Sequence, residues 1–251
     1  LYQRLTSEDV RYVGKVEVAE ATKVIENVQR DINIALVNEL AQIFPELDLD
    51  VEDVLSAAAT KWNFHRYTPG IGVGGHCIPI DPYYMMQRAQ EVGVPTELIT
   101  AARAVNRLMP KHVAGVLREL LYQSGIPAGQ GRVLFLGWSY KAGVGDARET
   151  PTKPLAENLV ESGIHVATWD PYLLASDIPH EIQFIGSIDE SVDFDIVVLA
   201  TAHPECISIN WQKLLNQMRT PILYDGRRVL DLTAMRDMGW KTNAVGSPMH
   251  H

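Results

Sequence analysis

From about Val16 to Ile43 the apolar residues Val24, Val28, Ile32, Ala35, Leu36, Leu40 and Ile43 recur at spacings of three and four, which predicts one buried stripe along a long helix. Pro45 ends it, because proline cannot continue the hydrogen-bond ladder. Beside the apolar row runs a polar one, Glu20, Lys23, Asn27, Arg30 and Asn38, again at helical spacing and placed to line a site. Asp50 to Thr60 reads as a short helix with Asp50 as its N-cap and Glu52 and Asp53 in its first turn, and the aromatic, basic stretch KWNFHRY follows it. Asp81-Pro82 reads as an N-cap followed by proline at the first helical position, opening a helix through about Val92. A further helix is predicted from about Thr96 through Leu121, with a kink or break at Pro110.

After GIPAGQG (Gly125 to Gly131) the pattern changes to short β-branched and apolar runs: VLFLG from 133, HVATWDP from 165, DIVVLAT from 195 and PILYDG from 221. Thr152 to Ser162, Asn210 to Met218 and Leu230 to Met238 supply the crossover helices between them. The alternation predicts an α/β domain, doubly wound around a parallel sheet. The chain thus divides near residues 122 to 131 into a helical domain, 1–124, and an α/β domain, 125–251. The first strand runs into GWSYKAGVGD, which is not the G-x-G-x-x-G dinucleotide fingerprint, and that fingerprint occurs nowhere else in the sequence.

The 251 residues are 46% hydrophobic and 21% charged, as in ordinary globular proteins. A formal net charge of -9 argues against nucleic acid or an anionic membrane as partner, so an anionic ligand must be met by individual basic residues and backbone N–H groups. Cys77 and Cys206 are the only cysteines and form no disulfide framework or C-x-x-C pair. No apolar stretch reaches transmembrane length and no leader pattern is visible, so a cytoplasmic location is expected. The sequence opens on Leu1 rather than Met, which suggests part of a longer protein.

The segment PGIGVGGHCIPIDP, Pro69 to Pro82, holds the densest chemistry. Four glycines within six residues, Gly70, Gly72, Gly74 and Gly75, allow positive φ and close approach to a ligand. Cys77 stands just ahead of the helix expected at Asp81-Pro82, where free N–H groups would stabilise a thiolate. Its plainer reading is a small buried residue in a glycine turn. A metal site built from His65, His76, Cys77 and Asp81 fails on spacing, so no metal is expected. Cys206, in HPEC, lacks such a setting and reads as structural. Lys23 and Asn27, one turn apart, can converge on a single oxygen, or can be an ordinary solvated pair. Asp81 is either an acid/base group or only the cap of its helix. Lys141, Arg148 and Arg227, taken singly, read as surface or salt-bridging residues, the usual fate of a single Lys or Arg.

Three motifs, AEATKVIENVQRDINIALVNELA (Ala19 to Ala41), PGIGVGGHCIPIDPYYM (Pro69 to Met85) and GWSYKAGVGDARETP (Gly137 to Pro151), with the shorter DGRRVLD (Asp225 to Asp231), resemble the UDP-glucose/GDP-mannose dehydrogenase superfamily. His76, Ile80-Asp81 and Tyr83-Tyr84 look like its N-acetylhexosamine branch rather than its glucose branch. The resemblance covers the second and third domains of the family. It implies an all-helical central dimerisation domain followed by a Rossmann-like UDP-binding domain, with an amino-terminal NAD-binding domain outside this sequence, so that the chain alone should not turn over.

The same resemblance implies an NAD-dependent oxidation of the C6 alcohol of a UDP-N-acetylhexosamine to a carboxylate. In it Cys77 is the nucleophile, Lys23 and Asn27 stabilise the oxyanion and Asp81 is the acid/base group. Lys141 and Arg227 bind the substrate beside Gly70, Gly72, Gly74 and Gly75, Arg148 reaches the NAD cofactor, and Arg103 and Asn106 of AARAVN face the site, across a homodimer interface of the helical domain. The alternatives are a UDP-glucose or GDP-mannose 6-dehydrogenase and, in another class, a non-catalytic nucleotide-sugar-binding or dimerisation module.

Overall fold

The computed structural model describes residue 6 and residues 10–249. Helix α1 (Val16–Ile43) covers the expected span and stops where Pro45 withholds an N–H, its last bond running from Phe44 N to Leu40 O at 2.9 Å. Its burial departs from expectation. Leu36 and Ile43, placed in the buried stripe by their spacing, are exposed, whereas Asn27, Asp31 and Asn38 are buried. Helix α2 (Val51–Ala58) is capped as expected, Asp50 accepting from Glu52 N at 2.7 Å. Helix α3 (Asp81–Glu91) begins one residue earlier than its reading as a cap implied: Ile80 is the N-cap, and Asp81 is already helical with no capping bond from its side chain.

Helix α4 (Glu97–Gln123), where a kink or break was expected at Pro110, is continuous through that residue. The proline ring is buried and lies so close to the glycine segment that a Cβ on Gly72 would meet Pro110 Cγ at 3.2 Å. Tertiary packing of the ring thus offsets the lost backbone bond. Helix α4 ends beside the expected division at 124/125, but the packing does not divide there. Its Val113, Leu117 and Leu121 share one core with the sheet and with α5 (Thr152–Glu161).

The sheet has six parallel strands, β1 (Arg132–Leu136), β2 (His165–Trp169), β3 (Gln183–Phe184), β4 (Ile196–Leu199), β5 (Ile222–Asp225) and β6 (Lys241–Ala244), in the order β3-β2-β1-β4-β5-β6. The strands are doubly wound, with α5 on one side and α6 (Pro204–Ile207), α7 (Trp211–Leu215) and α8 (Leu232–Met238) in the remaining connections. Side chains alternate strictly. Val133, Phe135, Ile196, Val198, Ile222 and Tyr224 face α4 and α5, while Leu134, Leu136, Val197, Leu199 and Leu223 face Trp211, Leu214 and Met235. Each fully buried aliphatic side chain contributes roughly 1.5–3 kcal/mol. The edge strands β3 and β6 escaped the sequence pattern because one is two residues long and the other, Lys-Thr-Asn-Ala, is mostly polar. The order reverses between β1 and β4, so loops after β1, β4 and β5 gather at one end of the sheet, where the helical region meets it.

Candidate active site in the cleft

A cavity of about 250 Å³ opens between the helical region and the carboxyl ends of β1 and β5. Ile34 of α1, Thr68, Pro69, Gly70, Gly72, Val73, Gly74 and Ile78 form one wall, and Tyr140, Lys141 and Arg227 the other. Five of the expected ligand residues, Gly70, Gly72, Gly74, Lys141 and Arg227, therefore meet in one place. Gly75 stays behind the wall, buried against Tyr140. Ile34 and Tyr140 lie within the motifs and Thr68 beside one, but nothing in the sequence marked them as lining a site.

The glycines are required more by the protein than by a ligand. A Cβ on Gly74 would come within 2.7 Å of Glu149 O and Pro151 Cδ, and Gly75, at φ +98°, would press a Cβ to 2.9 Å from the Tyr140 ring. The segment is thus moulded onto the GWSYKAGVGDARETP stretch, and Gly75 N donates to Glu149 O at 3.2 Å. Gly70 differs: a Cβ there would make only ordinary contacts, with Arg227 Nη1 at 3.5 Å and Gly226 O at 3.6 Å. The Arg227 guanidinium has no hydrogen bond or ion pair among the described residues. Desolvation pulls its pKa below the ordinary arginine value, with only the Asp225 carboxylate opposing. A half-buried cation without a counter-ion is a site for an anion. Lys141, exposed and likewise unpaired among the described residues, stands in the same cavity.

The glycine segment is anchored from behind by a buried polar relay. Arg103 donates to Asp31 Oδ1 at 2.5 Å, Asn106 donates to the same oxygen at 2.8 Å, Asn38 donates to Asn106 Oδ1 at 2.9 Å, and Gly70 N donates to Asn38 Oδ1 at 3.0 Å. Burial pushes the Asp31 carboxyl up, against the pull of Arg103 and Asn106. Arg103, expected at the substrate, is thus spent on Asp31 within its own chain. It is 7% exposed and lines a different cavity with Ile80, Tyr83 and Arg107. The relay could have been found from the sequence, since Asn27, Asp31 and Asn38 share one helical face.

One turn along α1 from Asp31, the buried Asn27 donates to Asp81 Oδ2 at 2.6 Å. The other oxygen of the Asp81 carboxylate has no hydrogen bond among the described residues. Cys77 is an exposed free thiol tied to this corner by its backbone, its carbonyl accepting from Asp81 N at 2.8 Å and Ile80 N at 3.1 Å. Those N–H groups, expected near the sulfur, are therefore directed at the Cys77 carbonyl oxygen. Lys23, one turn from Asn27, is exposed and paired at 3.5 Å with Glu26. Cys206 is fully buried, and burial, with Asp170 and Glu205 nearby, pushes its thiol well up. Among the described residues no group of three or more His, Cys, Asp and Glu side chains is arranged for a metal, and no helix is long and apolar enough to cross a membrane.

Arg148 is exposed and grips Asp146 through Nε at 3.0 Å and Nη2 at 2.8 Å, while His76 Nε2 approaches the same carboxylate at 3.0 Å. Arg148 and His76 hold the Asp146 carboxyl far below its usual range. Behind this loop Asp170 accepts at Oδ2 from Trp138 N (2.7 Å), Ser139 N and Oγ (both 2.9 Å) and His203 Nε2 (3.2 Å). His203 Nδ1 accepts from Gly143 N at 3.0 Å, so the buried ring is the neutral Nε2–H tautomer and fastens both ends of the loop bearing Lys141. The N–H groups after β1, where a dinucleotide phosphate sits in sheets of this order, are thus already taken by a carboxylate. The residues present do not fit NAD at that place.

The family model described as UDP-glucose/GDP-mannose dehydrogenase family, central domain, matches residues 17–108, and the UDP binding domain of the same family matches residues 134–232. A UDP-N-acetyl-D-glucosamine 6-dehydrogenase of Pseudomonas aeruginosa is 38% identical over 234 residues, 92% of this chain and 55% of that protein. Among solved structures, a UDP-D-ManNAc dehydrogenase from Pyrococcus horikoshii matches with 34% identity and a TM-score of 0.79, over 91% of this chain and 52% of that one. An NDP-N-acetyl-D-galactosaminuronic acid dehydrogenase from Methanosarcina mazei Go1 matches with 26% identity and a TM-score of 0.82, over 93% and 52%. The chain spans about half the length of the curated relatives it matches.

The Asp170 cluster makes a stability prediction. Burial raises this carboxyl, but the bonds from His203, Ser139, Trp138 and Tyr172 outweigh it and leave the pKa well below the usual range. Its contribution is therefore complete above the unfolded value of about 4 and is lost as pH falls below that toward the native value. Urea denaturation should find Asp170→Asn less stable by roughly 1–3 kcal/mol at pH 7. The gap should narrow as the pH falls below about 4; a gap independent of pH contradicts this account.

Proposed function

The chain belongs to the UDP-glucose/GDP-mannose dehydrogenase family, and from that membership we propose that it supplies the nucleotide-sugar site and the nucleophile of a UDP-N-acetylhexosamine 6-dehydrogenase. The observation that carries this reading is the Arg227 guanidinium, unpaired among the described residues, beside Gly70 in a cavity that Lys141 also lines, with Cys77, Asn27 and Asp81 at the adjoining corner. Ile34 in the cavity and Asn27 at the corner are seven residues apart on α1. At 1.5 Å per residue that is about 10 Å, room for a diphosphate at Arg227 with its hexose reaching Cys77.

The reaction is a four-electron oxidation of the hexose C6 alcohol to a carboxylate. NAD would accept the two hydrides, and the N–H groups after β1, satisfied by Asp170, would not be what holds it. The chain's own residues handle the substrate. Once C6 is an aldehyde, the Cys77 thiolate adds to its carbon, forming a C–S bond and placing charge on the oxygen. The Asn27 amide and, released from Glu26, the Lys23 ammonium stabilise that charge. After the second oxidation the thioester carbon is attacked by water, Asp81 takes the proton, and the C–S bond breaks to return the thiolate and release the uronate. Arg148 is assigned to the cofactor side, where its exposed guanidinium is available if Asp146 exchanges it for a phosphate.

Calorimetry of this chain with UDP should show binding that Arg227→Gln weakens at least about tenfold, as expected for losing a charge-assisted contact to phosphate. UDP-N-acetylhexosamines should bind more tightly than UDP-glucose. Equal affinity for both sugars overturns the choice of sugar, and unchanged UDP affinity in the variant overturns the site.

The same reading includes a homodimer. Ile25, Ile32, Leu36 and Ile43 align within about 20° on one side of α1, and Ile25, Leu36 and Ile43 are about half exposed. Light scattering after size exclusion should give a dimer, and Leu36→Glu should give a monomer; a monomeric unsubstituted chain contradicts the pairing.

A further inference from the structure

Two consecutive arginines leave the loop after β5 in different directions. Arg227 enters the cavity beside Gly70, whereas Arg228 turns to the helical region, its Nη2 hydrogen-bonded to Asp50 Oδ1 and its Nη1 donating to Ser247 Oγ at 2.6 Å. Ser247 Oγ in turn donates to Asp50 Oδ2 at 2.7 Å, closing a three-membered cluster. The divergence is built into the backbone. Arg228 occupies the left-handed region at φ 56°, an unfavourable place for a residue with a Cβ that persists only when its surroundings hold it.

The surroundings do hold it. Asp225 accepts from Arg227 N at 2.9 Å and from Val229 N and Leu230 N, both at 2.8 Å, so the loop is wound around one buried carboxylate. The Arg228 side chain is 6% exposed, and its charge is met by Asp50 at the start of α2. Burial raises the Asp50 carboxyl, but Ser247, Arg228 and the Glu52 N–H outweigh it and hold the pKa below the ordinary value. Val51 N donates to Gly246 O at 3.0 Å, and a Cβ on Gly246 would lie 2.3 Å from Val51 Cγ1, so chain and helix are in close contact here. The same helix also holds the opposite wall, because Glu52 pairs with Arg66 in the segment leading to Gly70. Both sides of the cavity are thus referred to the first turn of α2.

We infer that Arg228, Asp50 and Ser247 form a clasp between the loop after β5 and the start of α2 that positions Arg227 for phosphate, making Arg228 a positioning residue for nucleotide binding. The inference rests on the reading of Arg227 as a phosphate ligand. A clasp that only adds stability would affect nucleotide affinity independently of Arg227, whereas a clasp acting through Arg227 has nothing left to position once that contact is impaired.

A double-mutant cycle with UDP as the probe, measured calorimetrically on the full chain, separates the two. Arg227→Lys, which keeps a charge and a measurable affinity, should weaken UDP about tenfold, and Arg228→Gln about three- to tenfold. The double variant should be no weaker than Arg227→Lys alone, to within about twofold. If Arg228→Gln fails to fold by thermal melting, Asp50→Asn takes its place, since asparagine keeps the cap of α2 while giving up the charge. Multiplicative losses in the double variant, or an Arg228→Gln or Asp50→Asn affinity equal to the parent's, overturn the clasp while leaving the nucleotide site intact. An unaffected Arg227→Lys removes the nucleotide reading and the clasp with it.

Discussion

The Asp31 carboxylate is buried, and burial of a charge is tolerable only when donors surround it. Arg103 and Asn106 of α4 provide them, and the bonds continue through Asn38 to the backbone of Gly70. This single chain of contacts explains why α1 turns a polar row inward: the row is the fastening between two long helices and the glycine segment. It also explains the exposed isoleucines and leucine on another side of α1, since a helix whose inner surface is occupied by polar bonds leaves apolar residues over. A second copy of the chain is the occupant we assign to that stripe.

The glycine segment is held from the other side by shape. Glu149, Pro151, Pro110 and Tyr140 press so closely on Gly72, Gly74 and Gly75 that no side chain fits there. Its path is therefore set by the protein before any ligand arrives, which is the preorganisation a site needs to hold a reacting carbon near a thiol. The N–H groups after β1 are satisfied internally by Asp170, whereas Arg227 and Lys141, both on the cavity, have no hydrogen bond or ion pair among the described residues.

The long helices and the buried strands were legible because their apolar periods, three to four and two, run over many residues. Edge strands β3 and β6 were not, since half-exposed strands carry weak patterns. The candidate site was legible as composition and not as geometry: the motifs named Gly70, Gly72, Gly74, Lys141 and Arg227, and the structure gathers them. Which charges pair was hidden. Arg103 belongs to Asp31 across a separation of 72 residues, Arg148 to Asp146 and Arg228 to Asp50, and no local rule distinguishes these from the unpaired Arg227. The role of Asp81 turned on a single residue of helix register, the kind of boundary that spacing alone does not fix.

In the proposed complex a nucleotide sugar lies with its phosphates at Arg227 and its hexose at Cys77. Only one of the two cysteines is exposed, so thiol alkylation by iodoacetamide, located by peptide mass spectrometry, reads that contact directly. Saturating UDP-N-acetylhexosamine should suppress labelling of Cys77, while UDP, which lacks the hexose, should leave most of it. Labelling of Cys77 at the same rate with and without the sugar nucleotide would contradict the account.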